Sequence, residues 1–156
     1  MNRRLLLLPL VAGITTLDLL TKRWALDLGS EPVPIVPGFF DLTRGFNTGI
    51  SFGLLAAEGI YGYPVLIAVT LTIAVYFASL AWRATHPFQR IGYGAIVGGA
   101  LGNLLDRIPD GVVTDFIDLH VGGLHFPTFN IADIAITVGV LLLILTSFKG
   151  LKGAEA

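Results

Sequence analysis

Three aspartates stand close together in the stretch Val112–Asp133, VVTDFIDLHVGGLHFPTFNIAD: Asp115, Asp118 and Asp133. Apolar segments flank them on both sides, and a carboxylate beside hydrocarbon is costly unless something compensates it. Asp115 and Asp133 read as a pair reaching one place from two elements. Two carboxylates a few ångströms apart cannot both ionise comfortably, so such a pair shares a proton. Its apparent pKa values then belong to the pair rather than to either residue. The chemistry on offer is hydrolysis. One carboxylate takes a proton from water while its protonated partner donates to the developing oxyanion or leaving group.

The surroundings are oily. The 156 residues are 54% hydrophobic and 13% charged, with a net charge of -1. Mean hydropathy is +0.78. A soluble domain carries about 25% charged residues, so this composition is that of a membrane protein. No basic cluster suggests a nucleic-acid partner. The absence of cysteine excludes disulfides, thiolate metal sites and cysteine nucleophiles.

Four apolar segments approach the roughly 17–25 helical residues that cross a bilayer core of ~30 Å. They are Leu5–Leu26, Tyr63–Trp82, Ile91–Leu105 with its flank to Arg107, and Ile131–Phe148. Asn2-Arg3-Arg4 before LLLLPLVAG resembles a signal peptide, but the apolar run continues to Leu20 without a cleavage site. It is expected to be a retained first span. Pro9 and Pro64 are tolerable as a kink and an N-terminal residue. Arg3, Arg4, Arg83, Arg90, Lys149 and Lys152 fall on one side of an even number of spans. That side is expected to be the cytoplasm, with both termini there. The acidic residues, Glu155 excepted, then gather toward the other face.

The outer segments, 29–62 and 108–130, are too rich in signals to be plain connections. Pro32, Pro34 and Pro37 punctuate short extended pieces, and Phe39–Thr43 is a candidate strand. Ile50–Leu55 is apolar enough for a short interfacial helix. Asp115–Val121 and Leu124–Phe129 flank Gly122-Gly123 as the arms of a hairpin. The expectation is one integral membrane domain, 1–156, with a small β layer on four helices.

Several polar residues inside the spans need partners. Gly94, Gly98 and Gly102 repeat every four residues, a close-packing face. Gly99, Asn103, Asp106 and Arg107 form a neighbouring stripe. Asp106 and Arg107 suit interfacial anchoring, but an amide at the depth of Asn103 must bond to something. Asp18 and Lys22 form an i, i+4 pair, explained equally by mutual neutralisation or by support of the outer loops. Asn130 and Asp133 also fit an N-cap and its N3 acid, which satisfies a helix start without any catalysis. That explanation leaves Asp115 unaccounted for. His120 and His125 face each other across the hairpin, a weak signal for zinc without further ligands. A Ser–Lys pair would have to draw on Ser30 or Ser51.

Taken as ordered blocks, these residues resemble the lipoprotein signal peptidases, or signal peptidase II. The blocks are Asp18-Leu-Leu-Thr21-Lys22, Asn47-Thr-Gly49-Ile-Ser-Phe52 and Gly98-Gly-Ala-Leu-Gly-Asn103-Leu-Leu-Asp106-Arg107. Val113-Thr-Asp115-Phe116-Ile-Asp118 and Phe129-Asn130-Ile-Ala-Asp133 complete them. Leu19 stands where the first block usually has Gln, and Ile50-Ser51 where the second usually has Ala. The resemblance implies four transmembrane helices, an extracytoplasmic β-cradle and a short interfacial helix. It implies an aspartic endopeptidase of the bacterial cytoplasmic membrane that cuts diacylglyceryl-modified prolipoproteins just before the lipidated cysteine. Asp115 and Asp133 match its catalytic aspartates. Asn47, Asn103, Arg107 and Asn130 match residues lining the site, and Asp18 and Lys22 match supporting positions. The expected partners are this substrate and membrane lipids; the expected state is a monomer needing no metal or cofactor. A proton-coupled carrier would suit Asp18 and the glycine-rich third span, but it calls for charges near the bilayer midplane.

Overall fold

The computed structural model describes residues 6–49 and 62–152. The short interfacial helix expected at Ile50–Leu55 lies outside them, as does Ser51. The elements run α1 (Leu7–Ala25), β1 (Val33–Val36), β2 (Phe40–Asn47), α2 (Gly62–Arg83), α3 (Pro87–Asp110), β3 (Val113–Val121), β4 (Leu124–His125) and α4 (Ile131–Lys152).

Helix α3 is the centre of the helical layer and packs against each of the other three helices. Its glycines explain how. A Cβ at Gly94 would lie 2.8 Å from Leu7 Cδ1, and one at Gly98 would lie 2.9 Å from Ile14 Cβ. That face meets α1. A second face carries Gly92 and Gly99, where added Cβ atoms would strike the carbonyl oxygens of Gly139 and Ala132 on α4. The repeat of four thus serves the contact with α1, and two further glycines serve the contact with α4.

Around this centre the helices turn apolar side chains outward. Leu8, Leu17, Leu20, Leu71, Ile73, Val75, Leu141 and Leu145 are all exposed. Water would tolerate no contiguous apolar belt of this kind, whereas lipid requires one. Helix α2 is long and apolar enough to cross a membrane, with a mean hydropathy of 2.1 over its best window. Helices α1 and α3 carry Asp18, Lys22, Arg23, Asp106 and Arg107 in their later turns, which lowers their hydropathy. Three of those side chains, Asp18, Lys22 and Arg107, are buried inside the bundle. Pro9 and Pro64 sit in the first turns of α1 and α2, where the missing N–H costs nothing.

Four antiparallel strands in the order β1-β2-β3-β4 cover one end of the helices. Strand β2 runs beyond the expected Phe39–Thr43 to Asn47, with an irregularity between Leu42 and Gly45. The second hairpin arm stops at His125 instead of Phe129. Pro127 has no N–H to continue the ladder, and the chain returns at Phe129, which exchanges hydrogen bonds with Ile117. Gly122 and Gly123 both adopt positive φ (59° and 81°), as a two-residue hairpin turn requires. Helix α3 also outlasts the expected span. Pro109 falls in its last turn, and Gly111, at φ 79°, caps it by donating to the Arg107 carbonyl at 2.8 Å.

Candidate active site

Asp115 is on β3 and Asp133 in the first turn of α4; both open onto one cavity of about 710 Å³. Phe46, Asn47 and Gly49 form its β2 side, Phe126 and Phe129 its loop side, and Ile134 and Val138 its α4 side. The β2–β3 register sets Gly45 opposite Asp115 and Asn47 opposite Val113. A side chain at Gly45 would crowd the Asp115 carbonyl and Thr128 Oγ1, each at 3.3 Å, so glycine lets the strand pair approach here without a shift.

Amides hold the two carboxylates. Asn47 Nδ2 donates to Asp115 Oδ2 at 3.1 Å, and Asn130 Nδ2 donates to Asp115 Oδ1 at 2.6 Å. Asn103 Nδ2 donates to Asp133 Oδ1 at 3.0 Å. The Asn130 backbone N–H donates to Asp133 Oδ2 at 3.2 Å, and the Asp133 N–H returns a bond to Asn130 Oδ1 at 3.1 Å. This reciprocal pair is a capping box. Asn130 thus caps α4 and grips Asp115 at once, so the structural and the chemical explanations of Asn130 and Asp133 coexist.

Burial pushes the Asp115 carboxyl up to about 6. The nearby Asp133 charge pushes the same way, while the bonds from Asn47 and Asn130 and the charge of Lys22 oppose it. Asp115 is 3% exposed, while Asp133 is half-buried.

Behind the aspartates lies a buried polar layer. Asp18 and Lys22 pair at 2.8 Å, and Lys22 Nζ donates to Asn103 Oδ1 at 2.6 Å. Asp18 Oδ1 accepts the Ala132 N–H at 2.8 Å, satisfying an orphan donor at the start of α4. The pair therefore reaches beyond self-neutralisation, and what it supports is a helix start rather than a loop. Arg107 is buried too; its Nη2 donates to the Gly49 carbonyl at 2.7 Å and ties α3 to the end of β2. All eight residues singled out in the sequence therefore belong to one connected region.

The sequence offered interfacial anchoring for Asp106 and Arg107; instead Arg107 is buried, and Asp106 Oδ2 accepts the Thr114 N–H at 2.7 Å and fixes the start of β3. The place of Asp106 on the stripe with Asn103 and Arg107 was the signal that it needed a partner. The hairpin histidines do stack, with ring centroids 4.8 Å apart. His125 Nδ1 meets Asp118 Oδ2 at 2.8 Å, which engages the third aspartate of the stretch away from the cavity.

The profile of the family described as signal peptidase (SPase) II matches residues 10–149. The chain belongs to the signal peptidase II family. A lipoprotein signal peptidase of Rhodopseudomonas palustris is 41% identical over 158 residues, covering 96% of each chain. One from Beijerinckia indica is 40% identical over 136 residues, covering 85% of this chain and 81% of its own. A bacterial membrane enzyme solved by the in meso method at 2.3 Å superposes with a TM-score of 0.81 at 27% identity. It covers 92% of this chain and 87% of its own. A second such structure, at 1.9 Å, gives 0.79 at 28% identity, with 92% of each chain covered. Membership makes this protein a membrane peptidase that acts in lipoprotein processing.

Proposed function

We propose that this peptidase removes the signal peptide from diacylglyceryl-modified bacterial prolipoproteins, cutting just before the lipidated cysteine, by water activation between Asp115 and Asp133. The observation that carries the reading is the shared cavity. Two carboxylates from different elements open onto it, and both oxygens of each accept hydrogen bonds from asparagines. Bonds of that kind fix where lone pairs and protons point before substrate arrives.

The pair starts with one proton. The ionised carboxylate takes a proton from water as the hydroxide oxygen attacks the scissile carbonyl. The other carboxyl gives its proton to the oxyanion. As the C–N bond breaks, the first passes the water proton to the leaving amine and the second takes a proton back from the collapsing diol, which restores the one-proton pair. Arg107 and Asn47 act as positioning residues for the β2 end of the cavity. A helical signal peptide must unwind for this, because its scissile amide is otherwise tied up in its own hydrogen bonds. The sheet edge beside the cavity offers an extended template, and the apolar α4 wall suits the flanking side chains. The lipid chains stay in the bilayer, each buried CH₂ contributing about 0.8 kcal/mol toward retention of lipidated precursor.

In this reading all four helices span the cytoplasmic membrane and both termini are cytoplasmic. The sheet and the aspartates lie at the extracytoplasmic face, and the enzyme works as a monomer. The buried Asp18–Lys22 pair and the bond from the buried Arg107 to the Gly49 carbonyl supply the reason that α1 and α3 can cross despite their charges: each charged group has a partner within the bundle.

The test is a gel-mobility assay on a diacylglyceryl-modified prolipoprotein, comparing the parent with Asp115→Asn and Asp133→Asn, each checked for folding. Cleavage by the parent and by neither variant supports the dyad. Cleavage by either variant moves the chemistry elsewhere, and a folded parent that never cleaves defeats the substrate assignment.

A further inference from the structure

A second cavity lies at the far end of the bundle from the aspartates. It holds about 380 Å³ and is lined by Leu6, Leu7, Leu10, Pro87, Arg90 and Ile91. Its floor is the close approach of α1 and α3, where Leu7 and Leu10 lie against Gly94. Leu6 and Ile91 at its rim are exposed. Five of its six lining residues are apolar, and the sixth is a guanidinium.

Arg90 makes one side-chain hydrogen bond among the described residues. That bond goes from Nη2 to the Ala84 carbonyl, which orients the group, while its Nε is buried without a partner. The first turn of α3 contains no acidic residue, and α2 ends on a further cation, Arg83, just before Ala84. The buried Nε cannot reach a ligand, but the remaining Nη donors have no partner among the described residues. A guanidinium at the lip of an apolar groove matches a phosphodiester joined to hydrocarbon.

We propose that this groove binds one anionic phospholipid, with the phosphate on Arg90 and the upper part of an acyl chain along Leu6, Leu10 and Ile91. The volume is near the low end of the ~300–1,000 Å³ of small-molecule sites, enough for a headgroup phosphate and the first methylenes of a chain. A basic pocket between helices selects anionic over zwitterionic headgroups because the choline cation of the latter meets arginine. Which leaflet supplies the lipid rests on the orientation proposed above; the binding itself does not.

The experiment is native mass spectrometry of the full-length, delipidated protein in detergent. Palmitoyl-oleoyl phosphatidylglycerol and phosphatidylcholine are added separately, with glycerol 1-phosphate as competitor. One phosphatidylglycerol is expected to bind, about fivefold more tightly than phosphatidylcholine, and Arg90→Gln is expected to abolish that preference. Glycerol 1-phosphate should not displace it, because it lacks the chain. Equal retention of the two lipids, an unchanged preference in Arg90→Gln, or full displacement by glycerol 1-phosphate would each overturn the proposal. Arg90→Gln should still cleave prolipoprotein in phosphatidylcholine nanodiscs, so a loss of lipid preference reads separately from a loss of the proposed activity.

Discussion

Asp18 and Ala132 stand 114 positions apart and meet through one hydrogen bond, the Ala132 N–H donating to Asp18 Oδ1 at 2.8 Å. Ala132 immediately precedes Asp133. The first helix therefore holds the start of the last one, and with it one of the two carboxylates of the cavity.

Asp18→Ala is expected to be strongly destabilising. It removes a helix cap, worth roughly 0.5–2 kcal/mol. The buried Lys22 is left with Asn103 and the more distant Asp106, at 3.7 Å, so the further loss stays below the ~3–5 kcal/mol of a fully unpaired buried charge. Asp18→Asn keeps an acceptor for Ala132, and pairing it with Lys22→Met should recover much of the loss. Thermal unfolding in detergent across this cycle checks the point; additive losses in the double variant would show that the pair is not coupled.

Asp115 ties stability to pH. Its carboxyl is pushed up to about 6 in the folded protein, against ~3.9 in an unfolded chain. Between those values the folded state holds more proton, so this group's contribution to stability is present at low pH and lost as pH rises through about 6. The full loss is on the order of 3 kcal/mol. Melting temperatures from pH 4 to 8 should therefore move in favour of Asp115→Asn relative to the parent as pH rises. A constant difference between the two proteins would contradict the shift.

Activity should carry the same signature. The proposed mechanism needs one proton on the pair, so kcat/KM is expected to fall on the alkaline side as the second carboxyl ionises. The hydrogen bond from Asn47 opposes the upward shift at Asp115, so Asn47→Ala should displace that limb to higher pH. A pH–rate profile of the variant with an unmoved limb would leave Asn47 a purely structural role.

Gly99 can be tested against Gly13. A Cβ at Gly99 would run into the Ala132 carbonyl, while one at Gly13 meets nothing within 4 Å. Gly99→Ala should push the first turn of α4 away and lower kcat by about 10²-fold, as a misplacement near 1 Å does. Gly13→Ala should leave turnover unchanged. Equal effects of the two substitutions would mean that α4 gives way without moving Asp133.

Much of this site was legible because charge is conspicuous in an apolar chain. Asp18, Lys22, Asn103 and Arg107 had to find partners inside the bundle, and Asn130 and Asp133 carry the local chemistry of a helix start. The Asp18–Lys22 pair and the Asn130–Asp133 cap were legible from their spacing, but the long-range partners of these groups were not. The Asp18–Ala132 bond joins the ends of the chain, and the Arg107–Gly49 bond joins a helix to a strand end, neither with a local pattern behind it. Strand limits failed for a related reason. The β2 irregularity at Leu42–Gly45 and the detour forced by Pro127 depend on what β3 presents opposite, which alternation within one strand does not encode.

The glycine contacts between α3 and α4 also fix the mechanics of the cavity. Gly92 against Gly139 and Gly99 against Ala132 bring two backbones together, with Ile96, Ile136 and Leu143 packed against the same glycines. The α4 wall is in effect a fixed jaw, anchored at two heights. The opposite wall is the end of β2 and the Phe126–Phe129 loop, held by backbone bonds to β3 and by the Arg107–Gly49 and Asn47–Asp115 bonds. Any widening that lets a bulky chain in must then be a yielding of the sheet side, and stiffening that side would slow turnover without touching either aspartate.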